Sequence, residues 1–191
     1  MPTKDHPIDS PTQLQRLADE DPSLEHNLNI ILFAPLAHSE VLQQCRDHNS
    51  RYAKDSEGRR CGLTDYEYLN IDTLAKAWRD NWKTLPVTSI SRVTFDLTLP
   101  TPDEGVEQVR WEHGSRTGVK IHPPEREMTS LVNTLVLEMH MRSRGRVKME
   151  VVSRGEGVQA RMGMITSYIE ALETQGRSST ERSLRERSRR S

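Results

Sequence analysis

The chain has 191 residues, of which 34% are hydrophobic and 29% charged, and its formal net charge is -1. This length allows one domain with tails or two small ones, and the apolar share is below that of an average globular domain, so part of the chain is expected to stay outside any core. The near-zero net charge excludes a global attraction to nucleic acid or to an anionic membrane, and two cysteines exclude a disulfide framework.

The charge is unevenly placed. Residues 1–27 hold six acidic residues against Lys4 and Arg16, whereas residues 176–191 hold six arginines against Glu181 and Glu186. The N-terminal residues lack the basic start and apolar core of a signal peptide. The longest run without a polar residue, Ile30 to Ala37, is far short of a bilayer span. An intracellular protein, cytoplasmic or nuclear and without a membrane association, is the expectation.

Residues 1–26 contain four prolines and mostly polar side chains, and read as a flexible acidic arm. Leu28 to Ala34 is a continuous apolar run ended by Pro35, as expected of a buried first strand. Ser39 then offers an N-cap for a helix through Val41, Leu42 and Cys45, followed by a charged loop from Lys54 to Gly62. A second helix is predicted from about Asp72, with Leu74, Ala75, Trp78 and Trp82 on one face and Pro86 closing it.

Val93, Phe95, Leu97 and Leu99 alternate with Arg92, Thr94, Asp96 and Thr98, the period of a half-buried strand. Pro100, Pro102, Asp103 and Gly105 make a turn, and Val106 to Glu112 is expected to return from it as the second strand of a hairpin. Gly114 to His122 reads as a loop. The strongest signal follows: Met128, Leu131, Val132, Leu135, Val136 and Met139 form one stripe at helical period, with Pro124, Glu125 and Glu127 at its start and Arg142, Arg144 and a Gly145 stop at its end. Val147, Met149 and Val151 then alternate with Arg146, Lys148 and Glu150 as a strand, and Met162, Ile165, Ile169 and Leu172 mark a last helix ended by Gly176. Residues 176–191 form a basic Ser/Arg tail too polar to bury a core, and disorder is expected there.

Without the last helix, this order is β-α-β-β-α-β. It predicts one α+β domain over residues 27–175 with a ferredoxin-like antiparallel sheet, helices on one face and an added C-terminal helix.

Gly155-Glu-Gly-Val-Gln-Ala160 has the G-x-G-x-x-A spacing of a dinucleotide loop, but no strand with an acidic residue follows, and Glu156 stands where phosphates would lie. A plain connection is the favoured account. Gly114 to Lys120 resembles a phosphate-cradling loop in composition only. Cys45, His48 and Cys61 lack a fourth zinc ligand at a recognised spacing. No G-x-S-x-G or cysteine–histidine signature is present, so no catalytic, cofactor or metal residue is assigned. An enzyme would have to assemble its site from scattered residues such as His113, His122, Asp65, Asp103 and Cys61.

Three surface features remain. Arg142, Arg144, Arg146, Lys148, Arg154 and Arg161 cluster in sequence and are the candidate contacts for nucleic acid or another anion, which the Arg/Ser tail would extend. The strand order is like that of an RNA recognition motif, but Val106 to Glu112 carries only Trp111 where stacking aromatics are needed. Trp111, Met141 and Met164 are the candidate interaction surface, because both methionines fall off the apolar stripes. Ser178, Ser183 and Ser188, beside arginines, are the candidate phosphorylation sites. The expectation is a non-catalytic protein-interaction or scaffolding module with a protein partner. RNA or DNA binding and an enzyme with an unseen site are the alternatives.

Overall fold

The computed structural model describes residues 3–17, 24–33, 68–100, 109–113, 116–120, 124–154 and 161–174. In chain order these residues form β1 (Thr3–Ile8), α1 (Pro11–Leu17), β2 (Glu25–Ile31), β3 (Tyr68–Asn70), α2 (Ile71–Thr84), β4 (Ile90–Asp96), β5 (Val109–His113), β6 (Arg116–Lys120), α3 (Glu125–Ser143), β7 (Lys148–Val152) and α4 (161–174). β1, β2, β4 and β7 lie side by side in that order, and every neighbouring pair is parallel. β3, β5 and β6 make a second sheet, with β3 parallel and β6 antiparallel to β5.

The expected ferredoxin-like antiparallel sheet is therefore corrected to an α/β arrangement around a parallel one. The reason lies in the connections. Antiparallel neighbours can be joined by a tight turn, whereas a chain that leaves one strand, forms a helix and returns beside it runs parallel to its start. α1 lies between β1 and β2, α2 between β2 and β4, and α3 between β4 and β7. The predicted hairpin of 90–99 with 106–112 does not form: β4 is flanked by β2 and β7, and β5 pairs with β3 and β6. Residues 116–120, expected in a loop, are β6. The helix predicted after Ser39 and the charged loop 54–62 lie outside the described residues.

Residues 3–17, expected in the acidic arm, supply an edge strand and a helix. His6 and Ile8 of β1 point inward, and Leu14 and Leu17 of α1 are buried. The strand crossovers all step the same way across the sheet. Because such crossovers are right-handed, this places their helices on one face. α1 packs on α2 and α2 on α3 accordingly. Gln15 Nε2 donates to Asn81 Oδ1 (2.7 Å), and Trp82 Nε1 donates to the Leu135 carbonyl (3.0 Å).

The whole α3 stripe from Met128 to Met139 is buried, against Val93, Phe95, Leu97 and Met149 of the sheet side that also carries Leu28 and Ile30. α3 ends as a Schellman turn: Gly145 N–H donates to the His140 carbonyl (2.9 Å) and Arg144 N–H to that of Met141 (3.3 Å). Arg144 sits at φ 54 and Gly145 at φ 72, so the left-handed turn begins one residue before the expected glycine stop. A Cβ at Gly145 would also lie 3.3 Å from His140 Cε1. α4 adds Ile165 and Ile169 to the core, and Arg161 pairs with Glu125 in the first turn of α3.

Candidate functional site

Strand side chains alternate, so the residues between those of the core point to the opposite side of the four-stranded sheet. Its register places Asp5 opposite Asn27, Asn27 opposite Arg92 and Arg92 opposite Lys148 in one row. The next row runs Pro7, Asn29, Thr94 and Glu150, and a third runs Ile31, Asp96 and Val152. All of these side chains are half-buried or exposed.

Hydrogen bonds hold them across the strands. Asn27 Nδ2 donates to Asp5 Oδ1 (2.8 Å), Ser91 Oγ donates to Asn27 Oδ1 (2.8 Å), and Thr94 Oγ1 donates to Glu150 Oε1 (2.8 Å). Ser91 reaches this face because the β2–β4 ladder shifts between His26 and Asn27, which inserts it as an extra residue beside Arg92. Asn29, in the middle row, keeps a buried Oδ1 that accepts no hydrogen bond among the described residues. Within the strands the face carries Asp5, Glu25, Asp96 and Glu150 against Arg92 and Lys148, so this part of it is acidic as well as polar, and the exposed Arg146 and Arg154 flank β7 at its two ends.

The helix-covered side holds one polar pair. His6 Nε2 lies 3.0 Å from His26 Nδ1, with ring centroids 5.0 Å apart, and both residues are buried. One ring donates and the other accepts, which ties the edge strand β1 to β2 inside the core. The visible trace was the spacing of His6 with Ile8 and of His26 with Leu28 and Ile30, which puts both imidazoles on the core side.

The basic candidates separate. The Arg142 guanidinium donates Nη1 to the Trp82 carbonyl and Nη2 to that of Leu85, both at 2.7 Å, and so caps the C-terminal end of α2. Arg161 Nη1 lies 3.5 Å from Glu125 Oε2. Arg146 Nε donates to the Ser143 carbonyl (3.1 Å) while its side chain remains largely exposed, as do Arg144, Lys148 and Arg154. Arg142, Arg144 and Arg146 precede β7 and Arg154 and Arg161 follow it, so the strand stands between the two groups.

Trp111 lies on β5, opposite Gly118 of β6 and Leu69 of β3. Met141 and Met164 are 68% and 73% exposed. They are not adjacent along the helices: Met164 is one turn from Arg161, which meets the first turn of α3, and Met141 is in the last turn, about 24 Å farther along the axis. Ser178, Ser183, Ser188, Asp65, Cys61, Asp103, His122, Cys45, His48 and the Gly155–Ala160 stretch lie outside the described residues, and His113 is the last residue of β5. Among the described residues no group of three or more His, Cys, Asp or Glu could hold a metal ion, and no helix is long and apolar enough to cross a membrane.

The strand order also bears on ligand binding. In open α/β sheets the ligand crevice opens where successive connections leave in opposite directions. Here the strands follow one another in chain order, and no such reversal occurs in the four-stranded sheet. In comparisons with protein-family models, curated proteins and solved structures, the chain matches none.

Proposed function

We propose that the chain is a non-catalytic interaction module and that the side of the four-stranded sheet opposite the helices holds a protein partner. The observation that supports this is the pairing of a parallel sheet with a polar face. Parallel sheets are ordinarily covered on both sides and read as continuous apolar strands. In this sheet one side is apolar under α1, α2 and α3, and the other presents rows of polar side chains, in which Asn27 bonds Asp5 and Ser91 and Thr94 bonds Glu150. Such rows are prepared before binding, which lowers the ordering cost of association. Four carboxylates against two cations within the strands favour a polypeptide carrying amide, hydroxyl and basic groups over a phosphate backbone. The reading places the protein in the cytoplasm or nucleus and needs no cofactor.

The test is capture from nuclease-treated cell extract by three forms of the chain. The wild type and Lys83→Glu, altered on the exposed side of α2, are expected to retain the same protein, whereas Thr94→Arg, altered in the middle row, loses it. Equal retention by Thr94→Arg ends this reading. RNA or DNA affinity that falls steeply with salt and disappears with Arg144→Ala and Arg146→Ala would establish the nucleic-acid alternative instead.

A further inference from the structure

The four-stranded sheet has two edges, and they differ. β1 carries Pro7, which removes a backbone donor in the manner of protected edge strands. β7 has no proline and no bulge, and among the described residues no strand pairs with its outer side. We propose that this edge of β7 pairs antiparallel with the same edge of a second copy of the chain, in a register centred on Met149.

The backbone determines which groups are offered. Leu97 N–H donates to the Val152 carbonyl at 2.8 Å, so the main chain of Val152 faces β4. Successive residues of a strand turn their N–H and C=O groups to alternate sides. Val147, Met149 and Val151 therefore present theirs outward. With Met149 facing the partner's Met149, Val147 faces the partner's Val151 and Val151 the partner's Val147. Every outward donor in this stretch then has an acceptor opposite it.

The side chains select this register from the symmetric alternatives. A two-fold axis on Met149 sets Lys148 opposite the partner's Glu150 on the polar face, twice by symmetry. Centring on Lys148 or on Glu150 puts like charges directly opposite each other. Centring on Val151 sets Lys148 against the partner's Arg154, and centring on Val147 sets it against the partner's Arg146. Among pairs formed within Lys148–Val152, only the Met149 register sets opposite charges against each other, and cross-strand pairs of like charge destabilise a sheet. Lys148 is exposed, and Glu150 uses Oε1 for Thr94, which leaves Oε2 for the partner. Val152, 40% exposed, comes to lie against the aliphatic stem of the partner's Arg146. The polar faces of the two copies join into one continuous surface.

The experiment is size-exclusion chromatography with light scattering at submillimolar protein. The wild type is expected at about twice its monomer mass of 21.9 kDa. Lys148→Glu and Glu150→Lys each set like charges opposite each other and should weaken the dimer by about tenfold or more. Mixed one to one, they restore it, because each chain then carries what the other lacks. Lys148→Glu changes an exposed side chain and retains the fold, checked by its unchanged thermal melt, so its loss of the dimer is not unfolding. A monomeric wild type, a dimer indifferent to both variants, or a dimer tightened by Lys148→Glu as the Val151-centred register requires, would each overturn the proposal.

Discussion

The two sides of the four-stranded sheet are built from the same strands and do opposite things. On one side His26, Leu28, Ile30, Val93, Phe95, Leu97 and Met149 are buried beneath helices, and each apolar side chain removed from water contributes about 1.5–3 kcal/mol. On the other, Asn27 bonds Asp5 and Ser91 and Thr94 bonds Glu150 across the strands, and a typical intramolecular hydrogen bond contributes only about 1 kcal/mol net. The first side therefore carries the stability, and the second is free to carry recognition. Because neighbouring residues of one strand belong to different sides, a one-residue shift of register would exchange the two roles.

The contrast is broken most directly from the covered side. Trp82 is fully buried, packs 5.9 Å from Phe95 between ring centroids and donates its indole N–H to α3. Trp82→Ala should cost about 3–5 kcal/mol in denaturant titration, with the slope unchanged if unfolding stays two-state. Arg142→Ala removes two charge-assisted hydrogen bonds from the end of α2 and should cost about 1.5–3 kcal/mol. A measured loss under 0.5 kcal/mol, on the order of an ordinary surface substitution, would show that these bonds do not hold α2 to α3. On the polar side, Thr94→Val keeps the volume and removes only the bond to Glu150, so a change below about 1 kcal/mol is expected, together with weaker partner capture. A stability loss as large as that of Trp82→Ala would erase the division between the two sides.

How much of this was legible in the sequence follows from the range of each interaction. The α3 stripe and the alternation in β4 and β7 are local periodicities, and the described helix and strands fall where they were read. β1 was not legible because only His6 and Ile8 point inward and Pro7 lies between them, a pattern too short and too polar to signal a strand. β6 was hidden by Gly118 and by having Val119 as its only hydrophobic residue. The direction of pairing was missed although its cause was present: a helix between 93–99 and 147–151 implies parallel neighbours once those two segments are taken to touch. Of the polar face, each residue was visible as the wet half of an alternation, but its rows depend on registers between strands more than fifty residues apart, such as Thr94 with Glu150. Arg142 was read as a charge at the end of its own helix, and the carbonyls that it meets belong to another helix, about sixty positions away in the chain.

The chain-order arrangement of the strands makes the main body resemble a short stack of books more than a woven mat. In such stacks, cooperativity passes chiefly between nearest neighbours, as in solenoid repeats. The unit made of Thr3–Ile8 and Pro11–Leu17 touches the remainder through β2 and α2, while Ile90–Asp96, Glu125–Ser143 and Lys148–Val152 are closed upon one another without it. A partial opening at the N-terminal end is therefore the expected first departure from the native state, to be read as faster amide exchange in Thr3–Leu17 than in β4, α3 and β7.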